Sequence, residues 1–136
     1  MINWIKPDFE KEKEEVERTA STFDIDFEDL YLDVEDGHLT VLTDEIWSNL
    51  DNTDSWEIES LEQAKELAEQ YGGKDIHGII EGFITKSSNM PAPIVLKLSE
   101  DHYYLIAGNT RLMVAKAFNV RPEVWLVEHN QMKEGE

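Results

Sequence analysis

Three apolar runs in the last third of the chain constrain its fold more than any other feature. Residues 94–98 and 103–107 flank a short polar turn, and residues 122–127 form the third run. Each run has the length and apolar content of a buried strand. Between the second and third runs, Gly108 interrupts the strand pattern, and residues 111–118 carry apolar side chains at helical spacing. The pattern therefore predicts two successive strands, a helix and a third strand.

The N-terminal part is predicted to contain a helix followed by a hairpin. Residues 8–20 place apolar side chains on one helical face, and Asp8, directly after a proline, is the predicted cap. Residues 30–34 and 38–42 alternate apolar and polar side chains on either side of Asp36-Gly37. An Asp-Gly pair between two such runs is typical of a two-stranded hairpin.

Two further helices are predicted from their capping residues. Thr43 is the predicted cap that begins a short helix over residues 43–50, and Ser60 with Gln63 forms a capping box at the start of a longer one. Gly72-Gly73 is the predicted end of the longer helix. Residues 74–93 are less regular, and we expect a short helix followed by a loop there.

Charge is distributed unevenly along the chain. The 136 residues contain 30 acidic and 12 basic side chains, and the formal net charge is −18. Residues 1–75 hold 23 acids and 6 bases, whereas residues 76–136 hold 7 acids and 6 bases. This balance disfavours direct DNA binding and adsorption to anionic membranes, because both depend on Lys and Arg. The acidic half predicts either a well-solvated face or a surface for a basic protein partner.

Composition excludes several kinds of chemistry. The chain has no cysteine, which excludes disulfides, thiolate zinc sites and Cys nucleophiles. His38, His102 and His129 lack ligand spacing, so we expect no zinc site. The N-terminus has no apolar signal core and no run is long enough to span a membrane, so we expect a cytoplasmic protein.

The segment Gly108-Asn109-Thr110-Arg111, where a strand passes into a helix, is the best candidate for a functional site. Backbone N–H groups at a helix start form an anion site, and Gly108 allows a sharp turn and close ligand approach. Asn109 or Thr110 is the predicted helix cap. Arg111 opposes the helix dipole, and a bound phosphate would reverse that cost. The alternative is a plain capped turn with a surface arginine.

Residues 76–128 contain short segments in a recognisable order. They are Ile79-Ile80-Glu81-Gly82, then Ala92-Pro93-Ile94-Val95-Leu96, then Tyr104-Leu105-Ile106-Ala107-Gly108-Asn109-Thr110-Arg111-Leu112. This order resembles the ParB/sulfiredoxin superfamily, whose short stand-alone members are often virus-encoded. The resemblance implies an α+β fold with a small mixed sheet packed with helices. It implies a ParB-like core within residues 76–130. From the charge and element pattern we expect residues 1–75 to form an acidic N-terminal α/β extension in the same compact unit, and residues 131–136 to form a disordered tail.

The resemblance also implies the site residues. In that family the Gly-x-x-Arg turn binds nucleotide phosphates, which implies phosphate contacts from residues 108–111, with Glu81 or His77 near the same pocket. Glu81 would act as a general base or magnesium ligand, and His77 would hydrogen-bond the substrate. A solvated glutamate and a half-buried structural histidine are the alternatives. The implied ligand is a nucleotide or phosphorylated small molecule, and the implied cofactor is ATP or another NTP with Mg²⁺.

Departures from the family pattern limit the function. The turn has no cysteine, which excludes sulfiredoxin chemistry, and it reads Asn109-Thr110 where partition proteins have Glu-Arg-Arg. No basic helix-turn-helix segment follows, so we do not expect sliding along DNA. Three functions stay open: a nucleotide-binding domain that is a phosphotransferase or NTP hydrolase, an acidic interaction module or DNA-mimic inhibitor, and a ParB-like nuclease. Whether the protein is an enzyme is left open.

Overall fold

The computed structural model describes residues 2–70, 76–85 and 89–129. Within these ranges the chain forms a mixed α+β fold, as predicted, with six α-helices and two sheets. The helices are α1 (Lys13–Thr22), α2 (Phe27–Glu35), α3 (Asp44–Ser48), α4 (Leu61–Gln70), α5 (Ile76–Thr85) and α6 (Asn109–Ala117), with a 3₁₀ helix at Ser55–Glu57. The strands are β1 (Asn3–Ile5), β2 (His38–Val41), β3 (Leu50–Asp51), β4 (Asn89–Pro91), β5 (Ile94–Ser99), β6 (His102–Ala107) and β7 (Glu123–Glu128). No described helix is long and apolar enough to cross a bilayer.

The larger sheet has five strands in the order β2-β7-β5-β6-β3. β5 pairs antiparallel with β6 and parallel with β7, and α6 connects β6 to β7. The predicted series of two strands, a helix and a strand is therefore confirmed. β2 and β3, which come from the acidic first half, form the two edges of this sheet. A second, two-stranded sheet pairs β1 with β4 in parallel.

Apolar side chains of β5 alternate between two hydrophobic clusters on opposite faces of the sheet. Val95 belongs to the cluster that contains buried residues of α4, α5 and α6, whereas Ile94 and Leu96 belong to the cluster formed with α1 and α2. This follows from the two-residue period of a strand, which sends successive side chains to opposite faces. Helices therefore cover both faces, and this explains why the central strand is apolar at successive positions.

The predicted hairpin over residues 30–42 is wrong in its first strand. These residues belong partly to α2, whose cap is Asp26: its side chain accepts a hydrogen bond from the Asp29 N–H. Buried Leu30 and Val34 are four residues apart on one face, and Leu32 is 63% exposed. The alternation of apolar residues thus fits a helix once the cap is included. The second strand is confirmed as β2, but it pairs with β7.

The first helix begins later than predicted. Residues 8–12 form successive turns, in which Lys11 N–H donates to the Asp8 carbonyl at 3.1 Å and Glu12 N–H donates to the Phe9 carbonyl at 3.2 Å. The Asp8 side chain accepts from Glu10 N–H within the same turn and does not cap α1, which starts at Lys13. Local bonding of this kind competes with helix formation.

Both predicted side-chain caps of the middle helices are confirmed. Thr43 Oγ1 accepts from Ile46 N–H at 3.2 Å, and Ser60 Oγ accepts from Gln63 N–H at 3.2 Å. The predicted short helix between residues 74 and 93 is α5, although part of the predicted loop is strand β4. The predicted helix stop at Gly72-Gly73 and the predicted tail over residues 131–136 lie outside the described residues.

Candidate functional site

The turn before α6 requires a glycine. Gly108 has a φ of +107°, a conformation that side chains with a Cβ rarely adopt. A Cβ on Gly108 would also lie 2.6 Å from Pro93 Cβ and 3.1 Å from an Arg111 guanidinium nitrogen. The predicted sharp turn is therefore confirmed, and the atoms that approach Gly108 closely belong to Pro93 and Arg111.

Asn109 anchors the start of α6 instead of capping it. No side chain caps this helix, so the prediction that Asn109 or Thr110 is the cap is wrong. The Asn109 side-chain oxygen accepts a hydrogen bond from the Thr53 hydroxyl. Thr53 Oγ1 also accepts from Ser55 N–H at 3.0 Å, and the Trp47 indole N–H donates to Ser55 Oγ at 2.7 Å. This chain of hydrogen bonds ties the first turn of α6 to the segment before the 3₁₀ helix and occupies the Asn109 oxygen.

Arg111 is largely buried, with a side chain that is 11% exposed, and so it is not the surface arginine of the alternative interpretation. Its Nη1 donates to the Pro91 carbonyl at 2.7 Å, and its Nη2 lies 3.6 Å from Glu12 Oε1. Burial lowers the pKa of Arg111, while the Glu12 carboxylate acts in the opposite direction. The unfavourable position of this cation at a helix start is therefore offset by a carboxylate and a carbonyl.

Arg111 forms part of the lining of a cavity of about 560 Å³ between α5 and β4. One wall is a single face of α5, because Gly78, Glu81, Gly82 and Thr85 recur at intervals of three or four residues. The two glycines leave this wall without side chains at two successive turns. The remaining lining residues are Ile79, Asn89, Met90 and Pro91.

Two of the six predicted site residues therefore meet in this cavity, namely Glu81 and Arg111. His77 is exposed on α5 one turn before Glu81 and is not among the lining residues. Thr110 is half-buried, and residues 108–110 do not line the cavity either. Residues 108–110 and the Glu81 carboxylate therefore do not line the same cavity, although Gly108 lies against the Arg111 guanidinium.

Sequence reasoning missed two polar lining residues, Thr85 and Asn89. The spacing of Gly78 and Gly82 on one helix face was a usable signal for an open groove, and Thr85 continues that face. Nothing in the sequence could identify the contact between Arg111 and Glu12, because it depends on how the residue before α1 packs against the first turn of α6.

No group of three or more His, Asp or Glu side chains that could hold a metal ion occurs in the ranges described above. A magnesium ion at Glu81 would therefore need further oxygen ligands from the bound molecule and from water. This is how Mg²⁺ commonly binds together with phosphates, since one or two carboxylates are then sufficient.

No family model, curated protein or solved structure matches the chain. The resemblance to the ParB/sulfiredoxin superfamily therefore rests on the segments of this sequence alone and stays a prediction.

Proposed function

We propose that the protein binds a nucleotide or another phosphorylated small molecule in the cavity between α5 and β4. The observation that carries this proposal is that Glu81 and Arg111 line the same cavity. Its volume of about 560 Å³ is within the range of small-molecule sites in proteins. The resemblance places these same two residues near one phosphate site.

Arg111 is the residue that would contact phosphate. A guanidinium has five N–H donors, and the contact with Pro91 uses one of them. The Glu12 carboxylate is 3.6 Å from Nη2, which is longer than a normal hydrogen bond, so a phosphate oxygen would compete favourably with it. Low exposure strengthens such a pair, because the surrounding medium screens it less than water does.

Glu81 would act through a magnesium ion or as a general base. Its carboxylate is exposed on α5, between the two glycines that leave the cavity wall open. ATP or another NTP with Mg²⁺ is therefore the ligand to test first, and phosphotransfer or NTP hydrolysis is the reaction class. A cytoplasmic location is part of the same proposal.

Calorimetric titration of ATP, CTP and GTP, with and without Mg²⁺, tests this function. Glu81→Gln should weaken Mg²⁺-dependent binding about tenfold, because it removes a charged ligand. Without Mg²⁺ the same variant should bind equally well or slightly more tightly, since a negative charge near the phosphates is lost. Glu66→Gln, on the exposed face of α4, is the matched control and should leave both titrations unchanged. Absence of binding at millimolar nucleotide would contradict the proposal.

A second function, an acidic interaction module or DNA mimic, is supported by the exposure of the acidic residues. Of the 22 acidic side chains described between residues 2 and 70, 19 are exposed. Such a surface attracts a basic protein and competes with DNA for it. The test adds this protein to a complex of a basic DNA-binding domain with labelled DNA. Release of DNA at low salt that disappears at high salt is expected, and a salt-insensitive effect or none would argue against this function.

A further inference from the structure

A second cavity, of about 290 Å³, lies at the opposite end of α6 from Arg111. It shares no lining residue with the cavity between α5 and β4. Lys116, in the last turn of α6, lines it together with the segment that follows the helix. The lining residues are Asp44, Trp47, Trp56, Lys116, Val120 and Arg121, with Asn119 at the helix end.

Two indole rings and Val120 form the apolar part of this cavity. The centroids of the Trp47 and Trp56 rings are 5.6 Å apart, with an angle of 54° between their planes. Trp47 is buried and its orientation is fixed by the hydrogen bond to Ser55, whereas Trp56 is half-buried. Because Trp47 is buried, Trp56 is the indole that a flat ligand can contact, and an aromatic ring offers this contact at a low cost in conformational entropy.

Two cations lie in the same cavity. Lys116 Nζ is 5.2 Å from the centre of the Trp56 ring and donates to the Ile58 carbonyl at 3.2 Å. Within the described part of the chain, its contacts are therefore a ring face and a carbonyl rather than a carboxylate. Arg121 donates to the Leu42 carbonyl at 3.0 Å and pairs with Asp44. The charged lining residues sum to +1, in a chain whose net charge is −18.

From this combination we propose that the cavity binds a small compound in which a flat apolar ring carries a carboxylate or phosphate group. The ring would pack on Trp56, and the anionic group would take the free donors of the Lys116 ammonium, which has three N–H bonds and uses one on Ile58. The cavity is at the small end of ligand sites, which limits the ligand to about one ring system. This site is independent of the nucleotide proposed for the other cavity.

The test is a set of compounds that share a phenyl ring and differ in charge. Phenylacetate, phenyl phosphate, phenylacetamide and phenethylamine are titrated while Trp fluorescence is excited where phenyl rings do not absorb. Phenylacetate or phenyl phosphate should bind with a dissociation constant of about a millimolar or tighter, as expected for so few atoms. The neutral amide should bind at least about tenfold more weakly, and the amine should not bind. The anion that binds more tightly shows whether the site prefers a carboxylate or a phosphate group.

Variants with opposite expected signs separate ligand binding from a structural role. Lys116→Met should weaken binding of the anion about tenfold, whereas Asp44→Asn should tighten it a few-fold by removing a like charge. Neither change should alter binding of the amide. Lys65→Met, an exposed lysine of α4 outside both cavities, is the control and should have no effect.

The proposal is overturned if none of the compounds binds at tens of millimolar, on the order of the weakest fragment affinities. It is also overturned if the amide binds as well as phenylacetate, or if Lys116→Met leaves the affinity unchanged. Nucleotide binding in the cavity between α5 and β4 is measured separately, so failure of one site does not affect the other.

Discussion

The two ends of α6 carry cations in very different environments. At the N-terminal end, Arg111 is nearly buried and is held by Pro91 and Glu12. At the C-terminal end, Lys116 is half-buried and contacts a carbonyl and an indole ring. The helix dipole opposes the first cation and favours the second. The difference indicates that the stability of the N-terminal end depends on the partners of Arg111. At the C-terminal end, replacing Lys116 should cost little stability.

The largest expected effect is at Gly108. Gly108→Ala combines an unfavourable φ with a Cβ that would meet Pro93 at 2.6 Å, and it should lower the free energy of unfolding by about 3 kcal/mol. Chemical denaturation measures this. Gly78→Ala, at an exposed position in the first described turn of α5, should instead raise stability by up to about 1 kcal/mol. If the two substitutions changed the free energy of unfolding equally, the turn at Gly108 would not be strained as described.

Arg111→Met should destabilise the protein by about 2 kcal/mol. The change removes the hydrogen bond to Pro91 and leaves Glu12 without its cation. Thermal and urea unfolding of the variant measure the loss. A second substitution, Glu12→Gln, should recover part of it, because the unpaired carboxylate is then neutral. No loss in Arg111→Met would mean that the buried contacts of the guanidinium are not maintained in solution.

Asn109→Ala should cost about 1 kcal/mol of stability, the value of one side-chain hydrogen bond. The bond lost is the one from Thr53. Nucleotide affinity should stay unchanged, because Asn109 is not among the residues that line the cavity between α5 and β4. If calorimetry instead gave a large loss of affinity with little loss of stability, Asn109 would be a ligand contact as the family resemblance implies.

Lys116→Met should have the smallest effect on stability, about 0.5–1 kcal/mol. Its contacts with Ile58 and Trp56 are partly solvated, and exposed cation–π pairs contribute little. Denaturation of this variant beside Arg111→Met compares the two helix ends directly. If Lys116→Met lowered the free energy of unfolding as much as Arg111→Met does, the two ends of α6 would not differ as described.

The central strands and α6 could be predicted because their apolar runs are bounded by turn residues within the same short stretch. The helix α2 was missed because Leu30, Leu32 and Val34 alternate like a strand, and only the cap at Asp26 and the solvent position of Leu32 identify a helix. Gly37 was interpreted as a turn residue. In the fold, a Cβ there would lie 2.5 Å from the Trp125 indole nitrogen, which donates to the Val34 carbonyl.

The candidate site was predictable only in part, because some of its contacts join segments that are distant in the sequence. Local pattern identifies the strand-to-helix turn and the unusual position of Arg111. Whether its guanidinium lies in solvent, in a cavity or against a carboxylate depends on packing between distant segments. The meeting of Glu81 with Arg111 was implied by the family resemblance, whereas the pairing of Arg111 with Glu12 had no local signal.

The central claim is that the cavity between α5 and β4 is where a phosphorylated ligand binds. Its most direct test is a titration of the ¹⁵N-labelled protein with ATP and Mg²⁺, followed by amide NMR. We expect the largest shifts at Gly78, Gly82 and Thr85, with the indole N–H signals of Trp47 and Trp56 unchanged. Shifts confined to the Lys116 end of α6, or no shifts at millimolar ATP, would contradict the claim.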